Sequence, residues 1–347
     1  MNVAIIAPCF GVFGGIEAFV CALSRELHSN PDVKVTICFK KTTGFKLDRL
    51  LEESAADTGA RVVFVDRASR DLVDVIRQAD VVHCQNPCID VALIAKAFRK
   101  PLALTIHNYR QPAFRVREWL RSVAFRLADR RWYNSDFVWS TWEPQTRLAT
   151  SARLPVLSNL PSGRIPESER KGFVFVARWI ANKGADILVE AYARATLDRR
   201  RWPLIMMGDG PLRPEIERKI AEEEIAGIEI MGRVDEATRN DVIRHARWMV
   251  TPPNTREDLG LTPFEARHVG VPCIITRDGG LPEAGGKHAL ACAPGNVREL
   301  TSLLEKAAAM EDAEYETLCN ATHRELLAYL QPMSVYLEHY RQLLGLR

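Results

Sequence analysis

The chain has 347 residues, 47% hydrophobic and 26% charged, a balance typical of a globular protein and not of a disordered, collagen-like or coiled-coil chain. Its 47 Lys and Arg against 44 Asp and Glu leave +3, too little to indicate a nucleic-acid-binding protein. No apolar run reaches the ~18 residues of a membrane span, and no basic region typical of a signal peptide precedes the first apolar stretch. We therefore expect a cytoplasmic protein of two domains.

The eight cysteines mostly lie inside apolar runs, where a free Cys behaves as a small hydrophobic residue. Only Cys84 and Cys88 are close together, with the spacing C-x3-C and His83 beside them. A zinc site needs two more ligands, and no second Cys/His pair follows at a suitable spacing. We interpret the cysteines as structural or inert and predict no metal and no cofactor.

Short apolar runs alternate with helical patterns along the first half, which indicates βαβ units around a parallel sheet. A helix with a buried face of Phe19, Val20, Leu23 and Leu27 follows the first run. The predicted strands of this half are residues 3–7, 33–39, 61–65, 81–83, 102–106 and 138–140.

Residues 154–172 have the Pro, Gly and Ser content of a linker, and a second βα series follows them. Its predicted strands are residues 173–177, 203–208, 228–232, 248–252 and 272–276. The last stretch, 333–344, is a predicted helix whose apolar side chains need a surface to cover. Two doubly wound halves predict a cleft between them, with the ligand outside the carboxyl ends of the strands.

Glycines follow the first strand of the first half, and cations follow the first strand of the second half. Gly14 and Gly15 lie in the turn after the first run, where a helix N-terminus offers N–H groups to an anion. Arg178 and Lys183, five residues apart, follow the strand-like run at 173–177 and suit a diphosphate. From the residues alone, an ordinary turn and two solvated charges remain open as alternatives.

Two glutamates stand out in the segment EDLGLTPFEA. Glu257 is predicted in a loop, and Glu265 in the first turn of a helix that runs from about Pro263 to Gly270. Both carboxylates can then face the same polyhydroxyl ligand. The alternative is a helix-start charge and a surface charge.

With these motifs in order, the chain resembles the retaining glycosyltransferases of the GT-B fold, in family 4, or group 1. The resemblance covers nearly the whole length. It rests on GGIE, VVHCQ, LTIHN, VLSN, ARWIANKG, MMGDGP, MGRV, EDLGLTPFE and DGGLPE. It implies an α/β fold of two Rossmann-like, doubly wound domains facing across a cleft. The domains are 1–160 on the acceptor side and 161–330 for the nucleotide-sugar donor, with a helix in 331–347 returning to the first.

The resemblance also implies roles for individual residues. Catalytic roles fall to His107 and Glu257. The donor diphosphate is held by Gly14, Gly15, Arg178 and Lys183. The donor sugar and ribose are bound by Glu257, Asp258, Leu259, Gly260, Leu261 and Glu265. The nucleobase lies at Arg233 and Val234.

Three positions depart from the family pattern. Asn108 stands where many relatives carry Asp, Asp258 replaces Gly or Ser, and Ala177 replaces a Gly before the arginine. None removes a catalytic group. No two aspartates are separated by one residue, so the Asp-x-Asp metal pair of the other major fold is missing and metal-independent transfer is expected.

Residues 110–131 contain seven arginines against Glu118 and Asp129. Trp119, Leu120, Val123 and Leu127 form an apolar stripe there, with Phe114, Phe125 and Trp132 nearby. A basic amphipathic helix indicates an anionic membrane surface as a partner, at the inner face of the cell membrane. The alternative is a core-facing helix with a solvated basic face.

Taken together, the resemblance implies transfer of a hexose, with a slight preference for mannose, from a nucleotide-diphosphate sugar to a glycan or lipid-linked acceptor with retention. Polysaccharide or lipopolysaccharide biosynthesis is the expected setting. The alternatives are a nucleotide-sugar epimerase or a phosphorylase on the same fold, and a non-catalytic binding subunit. An epimerase would need more acid/base carboxylates, and a binding subunit would be expected to lack the glutamate or cation pair.

Overall fold

The computed structural model describes residues 1–111, 116–154, 156–157 and 160–346. The chain divides into two compact units, the first formed by Met1–Asn159 with Gln331–Arg347 and the second by Leu160–Leu330. Each unit is built on its own parallel sheet with helices between successive strands. This confirms the predicted α/β class with two Rossmann-like sheets.

The first sheet has seven parallel strands in the described part of the chain, in the order β3-β2-β1-β4-β5-β6-β7. They are β1 (Asn2–Cys9), β2 (Lys34–Lys41), β3 (Arg61–Val65), β4 (Val81–Gln85), β5 (Leu102–Ile106), β6 (Arg130–Tyr133) and β7 (Ser151–Arg153). The helices before the linker are α1 (Gly15–His28), α2 (Arg49–Ala56), α3 (Arg70–Gln78), α4 (Ile89–Ala97), α5 (Val116–Leu127) and α6 (Asp136–Trp142). The chain reverses its direction across the sheet between β1 and β4, which makes their carboxyl ends a topological switch point.

The core of this sheet follows from its apolar strands. β4 and β5 are buried along their whole length, as expected for parallel strands covered on both faces. On α1, the predicted face of Phe19, Val20, Leu23 and Leu27 is buried. The helical periodicity therefore gave the correct face.

The second sheet has six parallel strands among the described residues, in the order β10-β9-β8-β11-β12-β13. They are β8 (Lys171–Val176), β9 (Leu204–Met207), β10 (Ile228–Gly232), β11 (Ala246–Thr251), β12 (Cys273–Thr276) and β13 (Leu290–Cys292). A short 3-10 helix (Glu167–Glu169) precedes α7 (Ala185–Arg194), α8 (Arg213–Glu222), α9 (Glu236–His245), α10 (Leu261–His268), α11 (Leu281–Gly285), α12 (Val297–Ala308) and α13 (Asp312–Tyr329). The switch point here lies between β8 and β11, which pair directly.

The closing helix, α14 (Val335–Leu343), belongs to the first unit, as the resemblance implied. Tyr336 and Tyr340 are buried, and the ring centroid of Tyr336 lies 5.3 Å from that of Trp132 and 5.7 Å from that of Phe19. The Tyr340 hydroxyl lies 2.7 Å from Nδ1 of His83 on β4. Aromatic packing thus covers the apolar side of this helix.

The prediction of a strand at 138–140 is wrong, because these residues lie in α6. The Ser135 side chain caps that helix by accepting a hydrogen bond from the Val138 N–H at 3.0 Å, which favours helix over extended backbone. The strands β6, β7 and β13 were not predicted from the sequence. β6 begins with two arginines, and β7 and β13, with three residues each, are too short to show a strand pattern.

The basic helix predicted within 110–131 is shorter than expected. α5 covers Val116–Leu127, while Arg130 and Arg131 lie in β6. Arg131 is buried, and its guanidinium donates to the carbonyls of Phe125 and Arg126 at 3.0 and 3.2 Å. Phe114 and Arg115 lie outside the described residues.

The linker prediction at 154–172 extends too far, because β8 begins at Lys171. Arg170, just before it, is buried, and its guanidinium donates to the carbonyls of Val269 and Gly270 at 2.7 Å each. Arg170 lies within the predicted linker but is therefore packed into the second unit. Of the VLSN motif, Ser158 and Asn159 lie outside the described residues.

Candidate functional site

The turn between β8 and α7 carries Arg178 and Lys183. Arg178 is exposed, and its side chain has no hydrogen bond or ion pair with the described part of the chain. Trp179 beside it is buried, and its backbone N–H donates to the carbonyl of Asp209 at 2.9 Å. A buried tryptophan thus anchors the turn and leaves Arg178 free to meet an anion.

Glycines let a second turn pack against this one. A Cβ on Gly208 would lie 1.8 Å from the Ala177 carbonyl oxygen, and a Cβ on Gly210 would lie 2.4 Å from that of Trp179. The two glycines of MMGDGP are therefore needed for close backbone approach. Their contacts with Ala177 and Trp179 fix the turn that presents Arg178.

Lys183 and Glu257 are brought together at the switch point of the second sheet. The Lys183 ammonium donates to both carboxylate oxygens of Glu257, at 2.7 and 2.8 Å. Glu257 lies in the loop that follows β11, as predicted. Because both side chains are only partly exposed, the pair is better shielded from water than a surface ion pair.

The loop carrying Glu257 is held by the glycines of the DGGLPE motif. The N–H of Gly280 donates to the carbonyl of Glu257 at 2.8 Å. Gly279 has φ +64°, and a Cβ there would lie 2.2 Å from the same carbonyl oxygen. These contacts explain why glycines are needed here, a requirement that the sequence reading did not identify.

Glu265 lies two residues further into its helix than predicted. α10 begins at Leu261, so Glu265 lies in its second turn and not in its first, because Gly260 at φ +90° starts the helix two residues before Pro263. Its carboxylate is buried, and Arg239 on α9 approaches to 3.3 Å. Burial raises the pKa of Glu265, although the Arg239 charge opposes that rise.

One oxygen of Glu265, Oε2, is buried and has no hydrogen-bond partner among the described residues. A buried carboxylate oxygen without a donor is costly. A ligand hydroxyl would satisfy it. The residues after Glu257 lead into α10: Leu259 is buried, while Asp258, Gly260 and Leu261 are half-buried.

The predicted nucleobase residues follow β10. Arg233 is exposed, and Val234 packs partly against the second unit's core. Asp235, the next residue, accepts a hydrogen bond from the Thr238 N–H at 2.8 Å and so caps α9. The same helix carries Arg239, which links this turn to Glu265.

The predicted residues of the first unit lie at its own switch point. Gly14 is the N-cap of α1, and Gly15 is its first residue. Glu17, in the first turn, is buried, which raises its pKa, and a Cβ on Gly14 would lie 3.2 Å from its carboxylate. A carboxylate therefore already lies beside this helix N-terminus.

His107 follows β5 and is held by three polar residues. Its Nε2 lies 2.8 Å from Oε1 of Gln85, its backbone N–H donates to Oδ1 of Asn86 at 2.9 Å, and its carbonyl accepts from Asn134 at 3.0 Å. Burial lowers the pKa of His107 to about 3, so the imidazole is neutral at pH 7. Because an amide oxygen can only accept, Nε2 carries the proton and Nδ1 is left as an acceptor.

Gln85, Asn86 and Asn134 were not predicted from the sequence as partners of His107. Gln85 belongs to the quoted motif VVHCQ, and Asn86 follows it directly. Polar residues at the end of a buried strand were the available signal.

Two family models match this chain. Residues 13–143 match Glycosyltransferase Family 4, and residues 170–309 match Glycosyl transferases group 1. The chain belongs to this family. It is a group 1, family 4 glycosyltransferase of the GT-B fold.

Curated relatives of this glycosyltransferase match only in part. D-rhamnosyltransferase WbpZ of Pseudomonas aeruginosa is 24% identical over 59% of this chain and 57% of its own. O-antigen chain mannosyltransferase C of Escherichia coli is 27% identical over 29% of this chain and 26% of its own. The alignments span about a quarter to three fifths of the length of the curated relatives.

Among solved structures, HepE from Anabaena in complex with UDP covers 100% of both chains with a TM-score of 0.81 at 15% identity. At this identity the likeness shows the fold alone. It agrees with the two sheets described above.

The basic segment of this glycosyltransferase has an exposed apolar end. Val116 and Trp119 on α5 are largely exposed, Trp119 by 65%. Arg121 pairs with Glu118 at 3.1 Å, and its guanidinium lies 5.3 Å from the ring centroid of Trp142. Arg117 and Arg126 are exposed, so the free positive charge of the helix is smaller than its composition suggests.

Within the residues that the structure describes, no group of three His, Cys, Asp or Glu side chains is arranged to hold a metal ion. No helix in that part of the chain combines the length and apolar character required to cross a membrane.

Proposed function

We propose that this glycosyltransferase moves a hexose, with mannose preferred, from a nucleoside-diphosphate sugar to a glycan or lipid-linked acceptor with retention of the anomeric configuration. The observation that carries the proposal is the Lys183–Glu257 pair beside the exposed Arg178. It places two cations and one carboxylate at the carboxyl ends of the adjacent strands β8 and β11. Cations bind the phosphates of such a donor, and a carboxylate accepts hydrogen bonds from the sugar hydroxyls.

Arg178 and Lys183 are proposed to bind the donor diphosphate. A guanidinium binds two phosphate oxygens at once, and an ammonium with three N–H groups can bind phosphate while it retains Glu257. As the sugar bond breaks, negative charge grows on the leaving diphosphate, and both cations stabilise it. Gly14 and Gly15 are proposed to add backbone N–H groups at the N-terminus of α1.

Glu257 and Glu265 are proposed to bind hydroxyls of the sugar and of the ribose, respectively. Lys183 fixes the Glu257 carboxylate, so little conformational freedom is lost when a sugar hydroxyl donates to it. The unpartnered Oε2 of Glu265 supports the ribose assignment, because a ribose hydroxyl supplies the missing donor. Asp258, Leu259, Gly260 and Leu261 would line the sugar, and Arg233 and Val234 the base.

His107 is proposed to orient the donor sugar at the reaction centre. A neutral imidazole with Nε2–H held by Gln85 offers Nδ1 as an acceptor for a sugar hydroxyl. A protonated imidazole could not accept, so the low pKa supports this role. The position of Asn108 provides no carboxylate for a base, in keeping with transfer that does not deprotonate a group there.

We propose that transfer needs no metal, because Arg178 and Lys183 supply the charge that a cation provides elsewhere, and the sequence has no Asp-x-Asp pair. Activity should therefore persist in EDTA. Complete loss in EDTA, restored by Mg²⁺ or Mn²⁺, would contradict the proposal.

The acceptor and the setting are proposed from the relatives and from α5. The name of O-antigen chain mannosyltransferase C supports a role in polysaccharide or lipopolysaccharide biosynthesis and the preference for mannose, whereas WbpZ is a rhamnosyltransferase. The exposed Trp119 with Arg117 and Arg126 supports contact with an anionic membrane surface. We place the enzyme in the cytoplasm, at the inner face of the cell membrane.

A thermal-shift screen against UDP, GDP, ADP and their sugars tests the donor proposal. Arg178→Ala and Lys183→Ala should each weaken diphosphate affinity about 10- to 100-fold, since a charge-assisted contact contributes about 1.5–3 kcal/mol. Arg201→Ala is the matched control, because Arg201 is exposed on the same unit and outside the site. Unchanged affinity in both site variants, with the fold intact, would overturn the assignment.

Product analysis separates the alternatives. Incubation with the nucleotide sugar that binds should release nucleoside diphosphate in the presence of an acceptor and leave the donor sugar unepimerised. Formation of an epimer without acceptor would favour the epimerase instead.

A further inference from the structure

A group of four buried or half-buried side chains lies outside the donor-binding residues, at the junction of β2, β4 and α4. We call it the thiol cluster: Lys40, Cys84, Cys88 and Asp90. Cys84 lies near the end of β4, Cys88 is the N-cap of α4, and Asp90 is in the first turn of that helix. The proposed transfer uses none of the four.

Lys40 brings a positive charge to the sulfur of Cys88. Its ammonium lies 2.6 Å from Sγ of Cys88 and 2.7 Å from Oδ1 of Asp90. The Lys40 and Asp90 side chains are only 6% and 9% exposed, so the charges act with little screening by water. The second oxygen of Asp90 is buried without a hydrogen-bond partner among the described residues.

The two sulfurs differ in their protonation. The pKa of Cys88 is lowered to about 7, because a hydrogen bond from Cys84 and the positive charge of Lys40 together outweigh the effect of burial. Cys84 keeps its proton, because its bond to Cys88 and its burial raise its own pKa. Elsewhere in the chain burial raises the thiol pKa, to about 11 or 12 for Cys9, Cys21, Cys38, Cys273 and Cys292.

We propose that Cys88 is a nucleophilic thiolate that small hydroperoxides oxidise, and that Cys84 resolves the product into a Cys84–Cys88 disulfide. The geometry supports this assignment, because the Lys40 ammonium contacts the Cys88 sulfur, Cys88 is the N-cap residue of α4, and a second thiol, that of Cys84, interacts with Cys88 from the end of β4. Cys88 is also partly exposed, which admits a small oxidant.

The chemistry balances in two steps. The Cys88 thiolate attacks one oxygen of the hydroperoxide, the O–O bond breaks, and the leaving alkoxide or hydroxide takes up a proton, which gives a sulfenic acid. The Cys84 sulfur then attacks the Cys88 sulfur, the S–O bond breaks, and the hydroxide leaves as water with the Cys84 proton. Two thiols are oxidised and one hydroperoxide is reduced.

The disulfide would close a ring around the residues that hold His107. Gln85 and Asn86 lie between the two cysteines; Gln85 contacts the imidazole, and Oδ1 of Asn86 accepts from the N–H groups of His107 and Asn108. Asn86 has φ +65°, so the turn already holds a non-glycine residue in the left-handed region. Oxidation should therefore disturb these bonds. An effect on sugar transfer rests on the proposed function, but the thiol chemistry does not.

The test is a titration of the full chain with less than one equivalent of hydrogen peroxide, followed by alkylation and peptide mass mapping. We expect a Cys84–Cys88 disulfide in the wild type and a trapped sulfenic acid on Cys88 in Cys84→Ser. Cys38→Ala, which removes a buried thiol from the same strand as Lys40, is the matched control and should still form the disulfide. Oxidation spread evenly over the cysteines, or an unreacted Cys88, would overturn the proposal.

Two further measurements keep the result independent of folding and of activity. Lys40→Met should slow alkylation of Cys88 at pH 7 about fivefold or more, because less thiolate is present, while Lys40→Arg should restore part of the rate. Thermal unfolding verifies that each variant is folded. Hydrogen exchange at His107 and Asn108 should accelerate after oxidation and recover with a dithiol. Equal exchange in both redox states would overturn the coupling to His107.

Discussion

Glu265 is buried, and one of its carboxylate oxygens has no hydrogen-bond partner among the described residues. Because burial raises its pKa, the folded protein binds the carboxyl proton more tightly than the unfolded chain. Above the folded-state pKa the charge therefore destabilises the native state. Below the pKa of the unfolded chain that penalty disappears, since the group is neutral in both states.

This sign leads to a prediction for Glu265→Gln. The variant should unfold at a higher temperature than the wild type near pH 7, and the difference should shrink as the pH falls through the raised pKa towards 4.5. Donor affinity should fall at the same time, because an amide accepts a ribose hydroxyl less strongly than a carboxylate. Calorimetry across pH and nucleotide titration measure the two effects. A variant less stable than wild type at pH 7 would contradict the assigned cost.

Other features at the residue scale could not be read from the sequence. Glu257 was expected in a loop and lies there, but nothing in its motif indicated the ion pair with Lys183, which joins residues 74 positions apart. Likewise, Gln85 ends β4 and Asn86 follows it in the sequence, yet their bonds to His107 depend on the pairing of β4 with β5. Long-range contacts of this kind follow from sheet order, which no local pattern encodes.

At the scale of elements, the strands with continuous apolar runs were predicted well and the short or charged ones were not. β6 was not predicted because it begins with Arg130 and Arg131. The buried Arg131 guanidinium donates to carbonyls from the end of α5 and to the Thr150 hydroxyl. A strand was predicted within α6 because Phe, Val and Trp are enriched in strands. Its N-cap at Ser135 decided the outcome.

The loop after β12 gives a prediction at this scale. Gly279→Ala should lose stability by about 1–3 kcal/mol and weaken donor binding, since its Cβ would meet the Glu257 carbonyl oxygen and displace the loop. Gly44→Ala is the matched control, because Gly44 has φ +81° with open space around it. It should show the backbone strain without the loss of binding. Equal donor affinity in Gly279→Ala and wild type would show that this contact does not position Glu257.

At the scale of the whole molecule, both units repeat one plan. In each, glycine-bearing or polar turns follow the two strands at the switch point, and a helix starts close to the proposed ligand residues. The order of motifs predicted this plan together with the return of α14 to the first unit. The identity of the acceptor does not follow from that plan, because the same sheet order serves many substrates.

The last prediction concerns the membrane. The segment 110–131 contains seven arginines, but Arg131 is buried and Arg121 is paired with Glu118. We therefore expect the contact to depend on Arg117 and Arg126 together with the exposed ring of Trp119. Each cation near an anionic surface contributes about 1 kcal/mol, so changing Arg117 and Arg126 to Glu should weaken vesicle binding by well over tenfold.

Flotation with vesicles that contain anionic lipid measures this binding. It should weaken steeply as salt rises, because the attraction is screened over about 8–10 Å at physiological ionic strength. Trp119→Ser should reduce binding at every salt concentration, since its contribution is apolar burial and not charge. Arg200→Glu with Arg201→Glu, two exposed arginines of the second unit, is the matched control and should float like the wild type. If the wild type ignores anionic vesicles at low salt, α5 carries only a solvated basic face, and the acceptor need not be a lipid.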